Sequence, residues 1–283
     1  MKDEMGDWVY RFIFPDGEIT NGPRHKGEKN SIKTKVIQSL NLENKRVFDL
    51  GSADGLFSFY MAQEGANVVG LEKDEKRVLR ANYAKQKLDF KNVDFLDFDL
   101  RDGDALKKLG RFDVGFCFAV IHRVPDPFNL IASLSMICDS IVFEWKSPQG
   151  FFTNKASFAI HEVTSDFDFS NISDYPELNN GGKKLRVNGT EKPYWTMSIG
   201  AVQEILRSFG FVHFQGVPIG RKQPLRILFA WIVFIWQSIS PGGKPISFRR
   251  SQRVLLIASK NPGFPTLSLK GGFRRAEWDG TEL

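Results

Sequence analysis

Between Lys45 and about Lys146, short apolar runs alternate with amphipathic stretches, and this rhythm narrows the fold more than any other feature. Arg46-Val47-Phe48-Asp49-Leu50 reads as a buried strand carrying an acid near its end. Further strands are expected over residues 67–71, closed by Glu72, and over 93–96, 112–120 and 140–145. Residues 56–64, 74–88 and 127–137 place apolar side chains at helical spacing, as in Phe57, Tyr60 and Met61 or Val78, Leu79 and Tyr83. Strands separated by helices of this length build βαβ units, and such units demand a parallel sheet in an α/β fold.

Beyond Lys146 the rhythm lapses. Residues 147–195 mix Gly, Asn, Ser and Asp with aromatics and read as a substrate cap; loops that long are usually functional. Order returns with a helix over 198–209, capped by Gly210, and strands over 211–217 and 253–259. The organisation expected is a lead-in and helix over 1–44, a ligand-binding core over 45–146 and the cap over 147–195. The rest of the core then spans 196–260, with an apolar-basic insertion at 218–250, and a tail spans 261–283. Inside the insertion, Ile227 to Trp236 is apolar on every face, preceded by Arg221, Lys222 and Arg226 and followed by Lys244, Arg249 and Arg250. It is shorter than the ~20 residues that span a bilayer. A buried helix or homodimer contact is expected first, and a helix lying on the inner membrane face second.

Composition excludes more than it selects. The net charge of +6 is compatible with nucleic acid, an anionic lipid surface or a phosphorylated substrate. The 26 Phe give the chain much aromatic surface to bury or to offer a substrate. Two cysteines, Cys117 and Cys138, with no Cys-x-x-Cys, argue against zinc ribbons and disulfide scaffolds. The charged start Met1-Lys2-Asp3-Glu4 has no apolar h-region, so a reducing cytoplasm is expected. No His-Glu-x-x-His, nucleophile elbow or Walker A loop supports hydrolytic or NTPase chemistry, and no metal is expected.

The chemistry concentrates where the first strand turns into the first helix, at Asp49-Leu50-Gly51-Ser52-Ala53-Asp54-Gly55. Glycines there let the backbone approach a ligand, and Glu72, roughly twenty residues on, stands where ribose hydroxyls would be held. NAD is one nucleotide such a turn could hold, but the dinucleotide fingerprint Gly-x-Gly-x-x-Gly is not matched.

Asp-x-Gly-x-x-x-Gly resembles motif I of the class I S-adenosylmethionine (SAM) methyltransferases. The resemblance implies a Rossmann-like class I methyltransferase fold: a mostly parallel seven-stranded sheet with helices on both faces and its last strand antiparallel. It implies SAM as cofactor, with Asp49, Gly51, Ser52, Ala53 and Gly55 near its methionine end and Glu72 on its ribose. Ala53 replaces the family's usual glycine. An acid near the adenine is expected from Asp97 or Asp99.

Four stretches, read in order, resemble more narrowly the group related to tRNA wobble-uridine methyl and carboxymethyl transferases. They are the lead-in from Tyr10 to Thr20, the run from Phe48 to Phe59, the run from Phe112 to Pro127, and Tyr194-Trp195-Thr196 followed by a helix and Gly210-Phe211. Acceptor and methyl group are expected to meet just past the fourth strand. His122 would serve there as a base, Arg123 would attract an anionic substrate, and Glu144 would orient the acceptor. Arg123 stands where much of that group has its histidine. Tyr194 and Trp195, with Phe151 and Phe152, would wall the substrate pocket, and Lys183, Lys184 and Arg186 form either a solvated face or a phosphate site. The expected reaction is methylation of a small-molecule, sugar or lipid-linked acceptor, with S-adenosylhomocysteine (SAH) as co-product. A tRNA base, a carboxy-SAM donor and a non-catalytic SAM-binding protein are the alternatives.

Overall fold

The structure is a computed structural model, and it describes residues 6–23, 31–99, 103–124, 126–148, 158–162, 194–219 and 251–262. Six helices are described: α1 Ile32–Ser39, α2 Leu56–Gln63, α3 Glu75–Lys87, α4 Gly103–Lys108, α5 Pro127–Ile137 and α6 Ile199–Ser208. Nine strands accompany them: β1 Arg46–Leu50, β2 Asn67–Glu72, β3 Val93–Asp97, β4 Phe112–Phe118, β5 Cys138–Pro148, β6 Phe158–Glu162, β7 Tyr194–Met197, β8 His213–Ile219 and β9 Ser251–Ser259.

Seven strands form one sheet in the order β3-β2-β1-β4-β5-β9-β8. The first five run parallel, and β9 lies antiparallel to both β5 and β8. This is the Rossmann-like sheet expected from the sequence. Successive side chains of a strand face opposite ways. Val47, Val114, Phe116, Val142, Leu255 and Ile257 therefore pack with the lead-in and helices α1, α2 and α3 on one face. Phe48, Leu50, Phe112, Phe143 and Leu256 pack with α4, α5 and α6 on the other.

The helices begin where the sequence supplies caps. Asp74 accepts the N–H of Arg77 at 3.2 Å, and Glu75 with Lys85 and Lys87 complements the helix dipole of α3. Asp126 accepts the N–H of Asn129 at 2.9 Å, and Pro127 pre-sets the first turn of α5.

The lead-in folds back on itself around the Asp16-Gly17 turn, with Ile13 bridged to Ile19. Trp8, Phe12 and Phe14 are buried against one another and against Phe59 and Tyr83. Tyr83 donates to Glu18 at 2.6 Å, and Lys87 pairs with Glu18 at 3.0 Å and with Asp16.

Several boundaries differ from the sequence expectation. The fourth strand stops at Phe118 instead of Val120, because Ala119 turns into the left-handed region at φ 61°. The fifth begins at Cys138, which pairs with Phe112, and runs on to Pro148 through its ladder with β9. The six-residue α4 was not expected; among its residues only Leu106 is apolar and fully buried. The stretch read as a cap contributes a two-stranded sheet, β6 with β7. Trp145 donates its indole N–H to the carbonyl of Met197 at 2.7 Å, fastening that sheet to β5. The apolar segment 227–236 with its flanking basic residues, Phe151, Phe152, Lys183, Lys184 and Arg186 lie outside the described residues. Among the described residues no helix is long and apolar enough to cross a membrane, and no cluster of metal-binding side chains occurs.

Candidate active site

The strand order reverses between β1 and β4, since β2 and β3 lie to one side and β5 to the other. In an open parallel sheet the ligand crevice opens at the carboxyl ends of the strands at that reversal. The Gly51–Gly55 turn leaves β1 there. Gly51, Ala53 and Gly55 all take positive φ, at 73°, 51° and 89°. A Cβ on Gly51 would meet Val120 Cγ2 at 2.6 Å, so the turn lies directly against the chain leaving β4. Glycine is required at such a position by both conformation and space. Ala53 carries a methyl group through the same left-handed region, at a cost of about 1–2 kcal/mol.

Glu72 ends β2 beside this turn and is almost fully buried. Its Oε2 accepts the N–H of Ala53 at 3.0 Å, and its Oε1 accepts the N–H groups of Lys73 and Asp74 at 2.9 and 3.1 Å. Arg77 lies 3.6 Å from Oε2. The backbone thus fixes the carboxylate at the crevice rim. Ser52 Oγ is buried beside it with no hydrogen-bond partner. A buried hydroxyl without a partner can take a water or a polar ligand atom.

Asp49, one residue before the end of β1, is buried and accepts a hydrogen bond from Ser58 Oγ at 2.7 Å. Burial pushes its carboxyl up to about 6. The Ser58 hydrogen bond and the Lys33 charge pull in the opposite direction, and neighbouring Glu72 adds to the rise. A carboxylate held this way gains from a cation that enters the crevice.

The acids expected near an adenine lie at the end of β3. Asp97 stands in register with Glu72 and is exposed. Asp99 is half-buried and pairs with Lys73 at 3.2 Å. The N–H of Phe98, between them, donates to the carbonyl of Glu72 at 2.8 Å, which draws this loop to the Glu72 rim.

The residues expected to meet the acceptor separate by burial. His122 is fully buried after β4, and Arg123 beside it is exposed. Glu144, in β5, is fully buried between two cations. Arg253 of β9 donates to its Oε1 at 2.7 Å, and Lys33 of α1 stands 3.6 Å from its Oε2. Tyr194 and Trp195 lie in β7, paired with β6. Of the cysteines, Cys117 is buried near Asp49 and Glu144 and its thiol is pushed up by burial, so it stays neutral.

Sequence reasoning missed Ser58, Lys33, Arg253 and the structural part played by Asp54. Ser58 lies on the first turn after the glycine loop, a position its spacing from Asp49 could have flagged. Lys33 and Arg253 carry no local signal, because only the sheet order brings them to Glu144.

The residues present suit the methionine and ribose ends of SAM: a glycine turn at positive φ, a carboxylate at the second strand end, an unpaired buried hydroxyl and a buried acid. A family model described as "Methyltransferase domain" matches residues 41–195, more than half of the 283 residues. The ubiquinone biosynthesis O-methyltransferase of Dechloromonas aromatica is 29% identical over 140 residues, which cover 48% of this chain and 56% of that one. The enzyme of the same description from Coxiella burnetii is 31% identical over 110 residues, 38% of this chain and 45% of that one. The chain therefore spans about half the length of the curated relatives it matches. Among solved structures, the N-terminal domain of EvdMO1, crystallised with SAH and D-fucose, superposes with a TM-score of 0.59 at 16% identity, covering 91% of this chain and 93% of that one.

Proposed function

The chain belongs to the methyltransferase-domain family, and on that premise we propose that it transfers a methyl group from SAM to a small-molecule acceptor. The observation that carries this reading is Glu72, anchored by three backbone N–H groups at the rim of the Gly51–Gly55 turn. Oε2, which accepts a single N–H, keeps lone-pair capacity for a ribose hydroxyl. Asp49 and Ser52 supply the acid and the hydroxyl for the methionine end. SAM brings an electrophilic methyl group; the chain holds it, orients it and keeps the reacting atoms apart from water.

The acceptor is a small molecule, a sugar or a lipid-linked compound. The relatives named for ubiquinone biosynthesis favour oxygen as the methylated atom. Peripheral contact with the inner membrane face through Ile227 to Trp236 suits a lipid-linked acceptor, and vesicle binding that disappears on Trp231→Ser and Trp236→Ser tests it. The resemblance to the wobble-uridine group keeps a tRNA base as the second reading.

The test is label transfer. Purified protein is incubated with SAM carrying a tritiated methyl group and with phenols, sugars or unmodified tRNA. Label in a phenol or sugar, with equimolar SAH, is the expected result. Label confined to tRNA establishes the second reading, and SAM binding without SAH release establishes a non-catalytic binder.

A further inference from the structure

Lys33, the second residue of α1, carries a charge that reaches Asp49 and an ammonium that faces Glu144. Its side chain is 18% exposed. Its ammonium lies 4.8 Å from the ring centroid of Phe57 and 5.2 Å from that of Phe118, and the two rings meet edge-on at 5.3 Å. Phe118 ends β4 and Phe57 follows the Gly51–Gly55 turn, so the ammonium stands at the reversal of the sheet. It stops 3.6 Å from Glu144 Oε2, beyond hydrogen-bond reach. Glu144 is fully buried, and although Arg253 satisfies its Oε1, its Oε2 accepts no hydrogen bond. A buried carboxylate oxygen without a donor costs of order 1–3 kcal/mol. A donor and an acceptor thus face each other across a gap too wide for their own hydrogen bond. A hydroxyl completes both, because it accepts from the ammonium and donates to the carboxylate.

We propose that Lys33 and Glu144 seat the acceptor's hydroxyl, and that the acceptor is a phenol or an equally acidic hydroxyl compound. The inference rests on the methyl-transfer reading above. The acidity follows from charge. Arg253 offsets Glu144, and the Lys33 ammonium, whose charge also reaches Asp49, favours an oxyanion that forms beside it. Phe57 and Phe118, both buried, line the ammonium with aromatic rings. In the step, the acceptor O–H gives its proton to Glu144 Oε2, an oxygen lone pair forms the O–CH3 bond, and the S–CH3 bond breaks with its electron pair left on sulfur. The products are the methyl ether, SAH and protonated Glu144, which then loses its proton to solvent. Lys33 keeps its protons and stabilises the oxygen's developing charge.

The test uses 4-nitrocatechol, whose visible absorbance reports its ionisation, with SAH-loaded protein in which no methyl group can move. The titratable groups around Lys33 are Glu144 and Asp49, with Arg253 behind Glu144 and the neutral Cys117 thiol near both acids. Bound probe is expected to ionise roughly one pH unit or more below free probe. Lys33→Met is expected to abolish that shift, and Lys33→Arg to keep most of it. Glu144→Gln is expected to weaken probe uptake. Saturable SAM binding by each variant shows an intact fold and cofactor site. An unshifted probe in the wild type, no uptake of the probe by the SAH complex, or an equal shift in Lys33→Met overturns the pairing and leaves the cofactor reading standing. A wild type that binds neither SAM nor SAH overturns the methyl-transfer reading beneath it.

Discussion

Asp54 Oδ1 accepts a hydrogen bond from Arg80 Nε at 2.7 Å, with both side chains buried. Asp54's other oxygen takes the backbone N–H groups of Val9 and, at 3.3 Å, Tyr10. One residue of the Gly51–Gly55 turn therefore ties that turn to α3 and to the N-terminal lead-in. Removing either partner leaves the other buried charge without its ion-pair partner, a loss of about 3–5 kcal/mol. Asp54→Ala and Arg80→Ala are each expected to lower the urea midpoint sharply. The double variant is expected to lose less than the two single losses together. Additive losses would show that the pair is not coupled.

Asp49 makes stability fall as pH rises. Its carboxyl is raised from 3.8 to about 6 in the folded chain, chiefly by burial. The folded state therefore binds more protons than the unfolded state between those values. Stability declines across that window and levels off above it. The full effect is at most about 3 kcal/mol. At pH 8 Asp49→Asn is expected to be more stable than the wild type and to bind SAM more weakly, as measured by thermal unfolding and titration. An unchanged stability difference between pH 4 and pH 8 would contradict this account of Asp49.

Ala53 pays for its left-handed conformation at φ 51°. Ala53→Gly relieves that strain, partly offset by the greater freedom of glycine in the unfolded chain. The urea midpoint is expected to rise by the equivalent of about 0.5–1 kcal/mol, with SAM affinity kept or improved. A lower midpoint would show that the methyl group contributes packing that the strain does not outweigh.

Glu72 organises the turn through its backbone hydrogen bonds and is the proposed holder of the ribose. Glu72→Gln is expected to weaken SAM binding by roughly 10–100-fold, the loss of charge-assisted hydrogen bonds. Glu72→Ala is expected to cost more, because the N–H groups of Ala53, Lys73 and Asp74 lose their acceptor. Equal losses in the two variants would mean that the carboxylate does not organise the turn.

The sequence made the central sheet legible because its signals are local. Each parallel strand is a short apolar run, and Asp74 and Asp126 cap the helices that follow. The motif acids Asp49 and Glu72 were legible for the same reason, since their spacing follows from one βαβ unit. On the proposed acceptor side the sequence singled out Glu144 but not its two cations: Lys33 and Arg253 come from distant stretches, and only the order β4-β5-β9 and the docking of α1 bring them to it. Ala119 ended the fourth strand early through a backbone angle that its residue type does not announce. Asp54 read as a member of the glycine turn, and its anchoring of the lead-in depends on Arg80, a helix residue whose charge gave no hint of burial.

The central claim is that the Gly51–Gly55 turn and Glu72 hold SAM, and calorimetric titration tests it most directly. The protein is titrated with SAM and with NAD, alongside Asp49→Ala and Glu72→Ala. Saturable SAM binding, weakened at least about tenfold in both variants and absent with NAD, is the predicted result. No heat with SAM, SAM binding unchanged in both variants, or saturable NAD binding in its place would contradict it.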